Sequence, residues 1–208
     1  MARKKIAPAG SRERVFAAAA AEFAARGYAG ANVDRIARAA GLNKAMIYYH
    51  FTNKAALYRD ILRDMFGAVR RDVAEVAAAP LRPEEKIRRY VEAIARAAEA
   101  RPHFPPIWLR ELAEGGEHVD AATLAYVRDV LGALGRILEE GRRAGTFHAV
   151  NPLLLHAGII APLMFFLASA PLRRKMRRAG APGDPGVSRD AIVAHLQRLT
   201  LAQLEGKI

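Results

Sequence analysis

Apolar side chains recur along this chain at helical spacing, and that periodicity constrains its fold more than any other feature. In the segment before Gly145, for example, they stand three or four positions apart, at Leu124, Val127, Leu131, Leu134 and Leu138. The strict alternation of apolar and polar residues that is typical of half-buried strands is absent. We therefore predict an all-α protein.

Capping residues and glycines divide the pattern into helices. Ser11, Asn32, Asn43, Asn53 and Ser188 are predicted N-caps, and Gly27 and Gly41 are predicted helix ends. Further helices are expected over residues 84–100, 107–113 and 120–143 and from Pro152 onward. The proline-containing segments 101–106 and 171–187 are expected to be loops. This organisation predicts two domains, residues 1–54 and residues 55–208.

Charge is unevenly distributed along the sequence. The formal net charge is +12, and residues 1–60 contribute +7 of it, with eleven Lys or Arg against four Asp or Glu. Such a field attracts a polyanion, nucleic acid in the first place and an acidic membrane surface in the second. Half of the residues are apolar (52%), so a sizeable core is expected. The chain has no cysteine, which excludes disulfides and thiolate metal sites and is consistent with a cytoplasmic location.

The segment from Asn32 to Lys54 predicts a helix, a tight turn and a second helix. Gly41 stands in the turn, where a left-handed backbone or a close helix approach is needed. Leu42, Met46 and Ile47 are expected to face the core. This leaves outward a short helix face with one cation, two phenols and an imidazole, which suits the major groove of DNA. Its residues are Lys44, Ala45, Tyr48, Tyr49 and His50.

Residues 11–62 resemble the helix-turn-helix domain of the TetR family of transcription regulators. The matching positions, all at the family's spacing, are Phe23, Gly27, Tyr28, Asn32, Ile36, Ala37, Ala40, Gly41, Leu42, Asn43, Tyr48, Tyr49, His50, Phe51 and Lys54. The chain departs from the family with asparagine at positions 32 and 43, where Thr and Ser are usual, and with Ala45 where glycine is common. The resemblance implies an N-terminal three-helix helix-turn-helix domain and a C-terminal helical domain for dimerisation and ligand binding.

The resemblance also implies roles for individual residues. Lys44, Ala45 and Met46 would meet base edges at the start of the recognition helix. Phosphate contacts would come from Tyr48, Tyr49 and Lys54, with help from Asn32. His50 would brace the helix or reach a phosphate. The basic N-terminal arm would follow the backbone or enter the minor groove, through Arg3, Lys4, Lys5 and Arg12.

Ordinary structural roles remain open for several of these residues. The two tyrosines can be half-buried aromatics, His50 can be purely structural, and Lys54 can be a solvated charge.

For the C-terminal half, the resemblance implies that the last two predicted helices form a four-helix bundle with those of a second copy. The effector is expected to be small and mainly apolar, and ordinary core packing is the alternative for every candidate contact. The candidates are His103, Phe104, Trp108, Tyr126, His156, Met164 and Phe165. We predict a homodimeric repressor that binds a palindromic double-stranded DNA operator and is released by this effector.

Other classes of function are weaker predictions. A DNA-binding protein without an effector is the main alternative. An enzyme is disfavoured, because phosphate-loop, nucleophile-elbow and metalloprotease motifs are absent. Glu111 and Glu114 lie near His118 in sequence, a combination that helix surfaces also produce by chance. The histidines lack ligand spacing, so no metal and no cofactor are expected. Residues 153–170 are too short and too interrupted for a membrane span and predict a buried helix of a soluble protein.

Overall fold

The computed structural model describes residues 10–180 and 186–207, and within them it contains ten α-helices and no strand. The predicted all-α fold is therefore confirmed. The helices are α1 (Ser11–Gly30), α2 (Val33–Ala39), α3 (Lys44–His50), α4 (Lys54–Ala78), α5 (Pro83–Glu99), α6 (Phe104–Ala113), α7 (Ala121–Arg143), α8 (Pro152–Ala168), α9 (Ala170–Arg178) and α10 (Arg189–Leu204).

Side-chain caps fix most of the helix starts that the sequence predicts. Asn32, Asn43 and Ser188 accept backbone N–H groups at the starts of α2, α3 and α10. Asn53 accepts the N–H of Ala56 at 2.8 Å in the first turn of α4. The prediction for Ser11 is wrong, because Gly10 occupies the cap position of α1 and the Ser11 hydroxyl bonds elsewhere.

Two predicted loops contain helix. Helix α6 begins at Phe104 and not after Pro106, and α9 (Ala170–Arg178) covers residues 171–178 of the predicted loop 171–187. Pro105, Pro106 and Pro171 stand in the first turns of these two helices. A first-turn residue needs no backbone N–H for an intrahelical bond, so proline is tolerated there.

The chain forms two compact units, and the division between them falls within α4 and α6. Unit 1 comprises the described residues up to Asp64 together with Pro106–Asp120. Unit 2 comprises Met65–Pro105 and the described residues from Ala121 onward. The predicted division into residues 1–54 and residues 55–208 stays a prediction.

Unit 1 is built on α1, α2, α3 and the start of α4. Its core is apolar and fully buried, with side chains from each of these helices: Val15, Phe23, Ile36, Ile47, Leu57 and Leu62. Gly27 interrupts α1 with φ of +70°, a conformation that only glycine adopts without strain. The break turns the end of α1 toward α2, where Asn32 begins the next helix.

Unit 2 is a bundle in which α5 packs against α7, α8 and α10. The large side chains of α5 that face these helices are fully buried, among them Ile87, Tyr90 and Ile94. Lys86 is also buried, and its ammonium donates to the Ala77 carbonyl at 2.9 Å and to Glu140 at 2.6 Å. Both interactions satisfy a charge that would be costly to bury alone.

Candidate DNA-binding surface and ligand-binding residues

Helix α3 is short, and local contacts fix its start and its inner face. Asn43 accepts the N–H of Met46 at 3.0 Å, and Gly41 adopts φ of +65° in the turn that precedes it. The N–H of Leu42 closes that turn on the Ala37 carbonyl at 2.9 Å. Ile47 is fully buried and anchors the inner face of the helix.

The outer face of α3 is free of apolar anchoring and open to solvent. Lys44 and Ala45 are exposed, and Tyr48 and Tyr49 are 48% and 53% exposed. Met46 and His50 are half-buried at its edges. The structure therefore brings six predicted DNA-binding residues onto one short helix, and the two phenol rings extend into solvent instead of packing in a core.

Lys44 is the cation on this face. Its ammonium lies 3.1 Å from the Asp34 carboxylate of α2, and both side chains are about half exposed. An exposed pair of this kind contributes at most about 1 kcal/mol, so another partner can replace Asp34 at little cost.

His50 fixes the end of α3 to the start of α1. Its Nε2 atom lies 2.6 Å from the hydroxyl of Ser11, which is almost fully buried. The ring also stands edge-on to the ring of Tyr49. The arrangement gives His50 a bracing contact, one of the two roles expected for it.

Lys54 closes the end of α1. Its ammonium donates to the carbonyls of Tyr28 at 2.9 Å and Ala31 at 3.3 Å, and it lies 4.4 Å from the centre of the Tyr28 ring. These three contacts give the cation a structural partner set within its own unit. Its predicted phosphate contact remains untested.

Asn32 and Arg12 also have partners within unit 1. The Asn32 carboxamide accepts the N–H of Asp34 at 2.7 Å and is otherwise exposed at the start of α2. Arg12 pairs with Asp60 at 3.4 Å and lies over the Phe51 ring. Arg3, Lys4 and Lys5 lie outside the described residues.

Sequence reasoning missed the contribution of residues 106–120 to unit 1. The Arg110 guanidinium donates to the carbonyls of Phe23, Ala24 and Ala25, and so satisfies the end of α1 before the Gly27 break. The Tyr58 hydroxyl donates to the buried carboxylate of Glu111 at 2.9 Å. These partners are 53 to 87 residues apart in sequence, and no local pattern marks them.

The predicted effector-binding residues differ in burial. Phe104 and Met164 are buried, Tyr126 lies beside Arg70 of α4, and His103 and Phe165 are exposed, Phe165 at 69%. Trp108 is half-buried and belongs to the segment of α6 that is part of unit 1. The structure thus separates the candidates into buried and surface positions.

His156 is the polar member of this set with a defined partner. Its Nδ1 atom lies 2.8 Å from the hydroxyl of Tyr90, which is fully buried on α5. Burial lowers the pKa of His156 to about 4, and burial also raises the pKa of Tyr90. The pair is therefore neutral at pH 7 and offers hydrogen bonds without charge inside unit 2.

Among the described residues, no single helix is long and apolar enough to cross a membrane. Helices α8 and α9, which are bent by 53° at their junction, reach that length and composition only as a pair.

Both parts of the chain match models of known protein families. Residues 15–61 match the family described as bacterial regulatory proteins, tetR family, and residues 83–179 match the tetracyclin repressor-like C-terminal domain. The chain therefore belongs to the TetR family, and it is a DNA-binding transcription regulator.

Individual relatives agree with this assignment. The HTH-type transcriptional repressor NicS of Pseudomonas putida is 27% identical over 162 residues, which is 76% of each chain. The HTH-type transcriptional repressor SCO4008 of Streptomyces coelicolor is 47% identical over 55 residues, only 29% of its length. A tetR-family regulator structure from Rhodococcus RHA1 covers 95% of this chain and 98% of its own, with a TM-score of 0.73 and 20% identity. That likeness supports the fold alone.

Proposed function

We propose that this protein represses transcription as a homodimer that binds an inverted-repeat operator and leaves it when a small, mainly apolar effector binds. Such a regulator acts on chromosomal DNA in the bacterial cytoplasm. The observation that supports the proposal most directly is the outer face of α3. Helix α3 is capped by Asn43 and anchored by Ile47, and its outer face exposes side chains that can contact DNA.

Different side chains of α3 would contact the bases and the phosphates of the operator. Lys44, Ala45 and Met46 stand in the first turn of α3, which reaches base edges when a recognition helix enters the major groove. A lysine there prefers the O6 and N7 atoms of guanine, and Ala45 or Met46 can contact a thymine methyl group. Tyr48 and Tyr49 lie on the same exposed face and would hold phosphates through their hydroxyl groups.

Dimerisation would use α8 and α10. Helix α8 buries one face in its own unit through Leu155, Ile159 and Leu163. Its opposite face is exposed although it is entirely apolar, and it consists of Leu153, Leu154, Ala157, Gly158, Ala161 and Phe165. Leu199 is exposed in the same way on α10, which contacts α8. Contiguous exposed apolar surface of this kind is typical of protein interfaces.

The effector would bind in unit 2, where the interior between the helices is apolar with few polar groups. The neutral Tyr90–His156 pair can orient one polar group of an otherwise apolar molecule without requiring that it carry charge. This effector class follows from the side chains inside unit 2, and the C-terminal family match adds no ligand identity.

In vitro selection from random duplex DNA tests the DNA-binding part of the proposal. We expect enriched sequences with two inverted half-sites whose centres lie about 34–36 Å apart, the spacing of successive major grooves. The affinity for the selected site should fall steeply as salt rises, because phosphate contacts dominate such complexes. Enrichment of a single half-site bound by one chain would exclude the dimeric mode.

A further inference from the structure

Three side chains with metal-binding chemistry meet where α6 ends. Glu111 lies in the last turn of α6, and Glu114 and His118 lie in the turn that follows this helix. One ligand atom from each side chain lies within 4.8 Å of the other two. All three belong to unit 1, and the proposed DNA-binding residues and effector are not involved.

The spacing between two of these side chains is compatible with two ligands of one metal ion. Oε2 of Glu111 lies 3.3 Å from Nδ1 of His118. A charge-assisted N–H···O⁻ hydrogen bond is usually about 2.7–2.9 Å long. Two ligands of a tetrahedral zinc ion with bonds near 2.0–2.1 Å are about 3.3–3.4 Å apart. The pair is therefore already spaced as two neighbouring ligands.

The burial of Glu111 is a second observation at the same place. Its side chain is completely buried, and in the described part of the chain its ion-pair partner is His118, which is charged only when protonated. The neighbouring Arg110 guanidinium donates to three backbone carbonyls. Hydrogen bonds from the Tyr58 hydroxyl and the His118 backbone satisfy the carboxylate oxygens, and a divalent metal ion would add a positive charge beside this buried carboxylate.

Neighbouring groups orient the ligands. The Tyr58 hydroxyl donates to Oε2 of Glu111 at 2.9 Å, and the backbone N–H of His118 donates to Oε1 at 2.6 Å. The His118 ring lies against the Tyr28 ring, with centroids 3.9 Å apart. In metal sites, hydrogen bonds from surrounding groups fix the orientation of the carboxylate and imidazole ligands.

We propose that Glu111, Glu114 and His118 bind one divalent transition-metal ion, zinc in the first place, with a fourth position open to water. Two carboxylates and one imidazole are ligands that zinc accepts. Glu114 is exposed and closes onto the ion from the solvent side, whereas Glu111 holds it from the interior. Occupancy would tie the turn after α6 to Tyr28 and Tyr58 and would stabilise unit 1 against unfolding.

The test is a calorimetric titration of zinc into untagged, EDTA-treated, full-length protein without DNA. Glu114→Gln removes an exposed ligand and keeps the size of the side chain. Glu117→Gln, an exposed residue of the same turn outside the cluster, is the matched control. We expect one zinc ion per chain in the wild type and in Glu117→Gln, and an affinity at least tenfold weaker in Glu114→Gln. Equal affinity in the two variants, or no binding to the wild type, would overturn the proposal.

Cobalt(II) provides a second readout on the same three proteins. A tetrahedral visible absorption band should appear for the wild type and for Glu117→Gln and should be absent for Glu114→Gln. Circular dichroism checks that Glu114→Gln is folded, as its exposed position predicts. A band of equal intensity in Glu114→Gln would contradict the assigned ligand set. Because these titrations contain no DNA, their failure would leave the proposed repressor function unaffected.

Discussion

Lys44 is the residue whose chemistry should determine base preference. Its ammonium is exposed at the start of α3, and its contact with Asp34, at 3.1 Å, is a surface pair that DNA can displace. We predict that Lys44→Ala relaxes the preference at one base position and costs roughly 1–3 kcal/mol there. Binding to a panel of single-base operator variants measures this. An unchanged preferred sequence would show that α3 enters the groove in another register.

Lys54 should behave differently because its ammonium is bonded to the end of α1. We predict that Lys54→Ala lowers the free energy of unfolding by roughly 1.5–3 kcal/mol, the range for hydrogen bonds to charged groups. Chemical denaturation measures this effect. A phosphate contact predicts instead a salt dependence of operator affinity that is flatter by about one. Unchanged stability together with a flatter salt dependence of operator affinity would contradict the structural role of Lys54 at the end of α1.

His156 should make unit 2 sensitive to acid. Its pKa is lowered by burial to about 4, below the value near 6.5 expected in the unfolded chain. As the pH falls, the unfolded chain therefore binds the proton first, and stability decreases between about pH 6.5 and pH 4. We expect a loss of about 1–2 kcal/mol at pH 5 relative to pH 7.5.

Denaturation of the wild type and of His156→Gln at both pH values tests this effect. Glutamine does not titrate and can still accept a hydrogen bond from Tyr90. The wild type should lose more stability than the variant, and equal losses would assign the acid sensitivity to other groups.

Local sequence predicted which residues stand on α3 but not which partners they have. Cap positions and the apolar anchor Ile47 follow from neighbours within four residues, so the exposed face could be predicted. Ser11 and His50 are 39 residues apart, and Lys54 and Tyr28 are 26 apart. Such contacts depend on how the helices pack, and short sequence patterns contain no information about them.

At the level of helices, proline and periodicity each leave one feature undetermined. Proline in a sequence predicts a loop, whereas Pro105 and Pro171 stand in the first turns of α6 and α9. In α10, Ile192, Leu196 and Leu199 stand at helical spacing, which predicts one apolar side. The structure buries Leu196 in its own unit and leaves Leu199 45% exposed. Periodicity predicts a helix face well, but it does not distinguish the face buried in one chain from the face available to a second copy.

Leu199 and Leu196 therefore predict different outcomes for the same substitution. Leu199→Asp places a charge on exposed apolar surface, so we expect folded monomers that no longer bind the operator. Leu196→Asp places an unpaired charge in the core of unit 2 and should unfold it. Sedimentation and circular dichroism distinguish these results. Leu112→Asp, at an exposed leucine of α6, is the matched control, and a folded Leu199→Asp dimer would place the interface elsewhere.

At the scale of the whole molecule, the excess positive charge and the proposed ligand-binding region belong to different parts of the chain. The excess positive charge of residues 1–60 favours DNA, while the apolar interior of unit 2 favours a small ligand. Release from the operator then requires that the effector bind the form with low DNA affinity more tightly, because equal affinity for both forms shifts nothing. A tenfold fall in operator affinity needs a difference of only about 1.4 kcal/mol between the free energies with which the effector binds the two forms.

Trp108 should report this response. It is the only tryptophan, and it lies in α6, within which the division between the two units falls. We predict that titration with an effector selected for operator release changes Trp108 emission over the same concentration range in which operator affinity falls. Trp108→Phe should alter the effector concentration needed for half-release. If an effector releases DNA while Trp108 emission is unchanged and Trp108→Phe responds as the wild type does, then Trp108 is not part of the ligand-binding region.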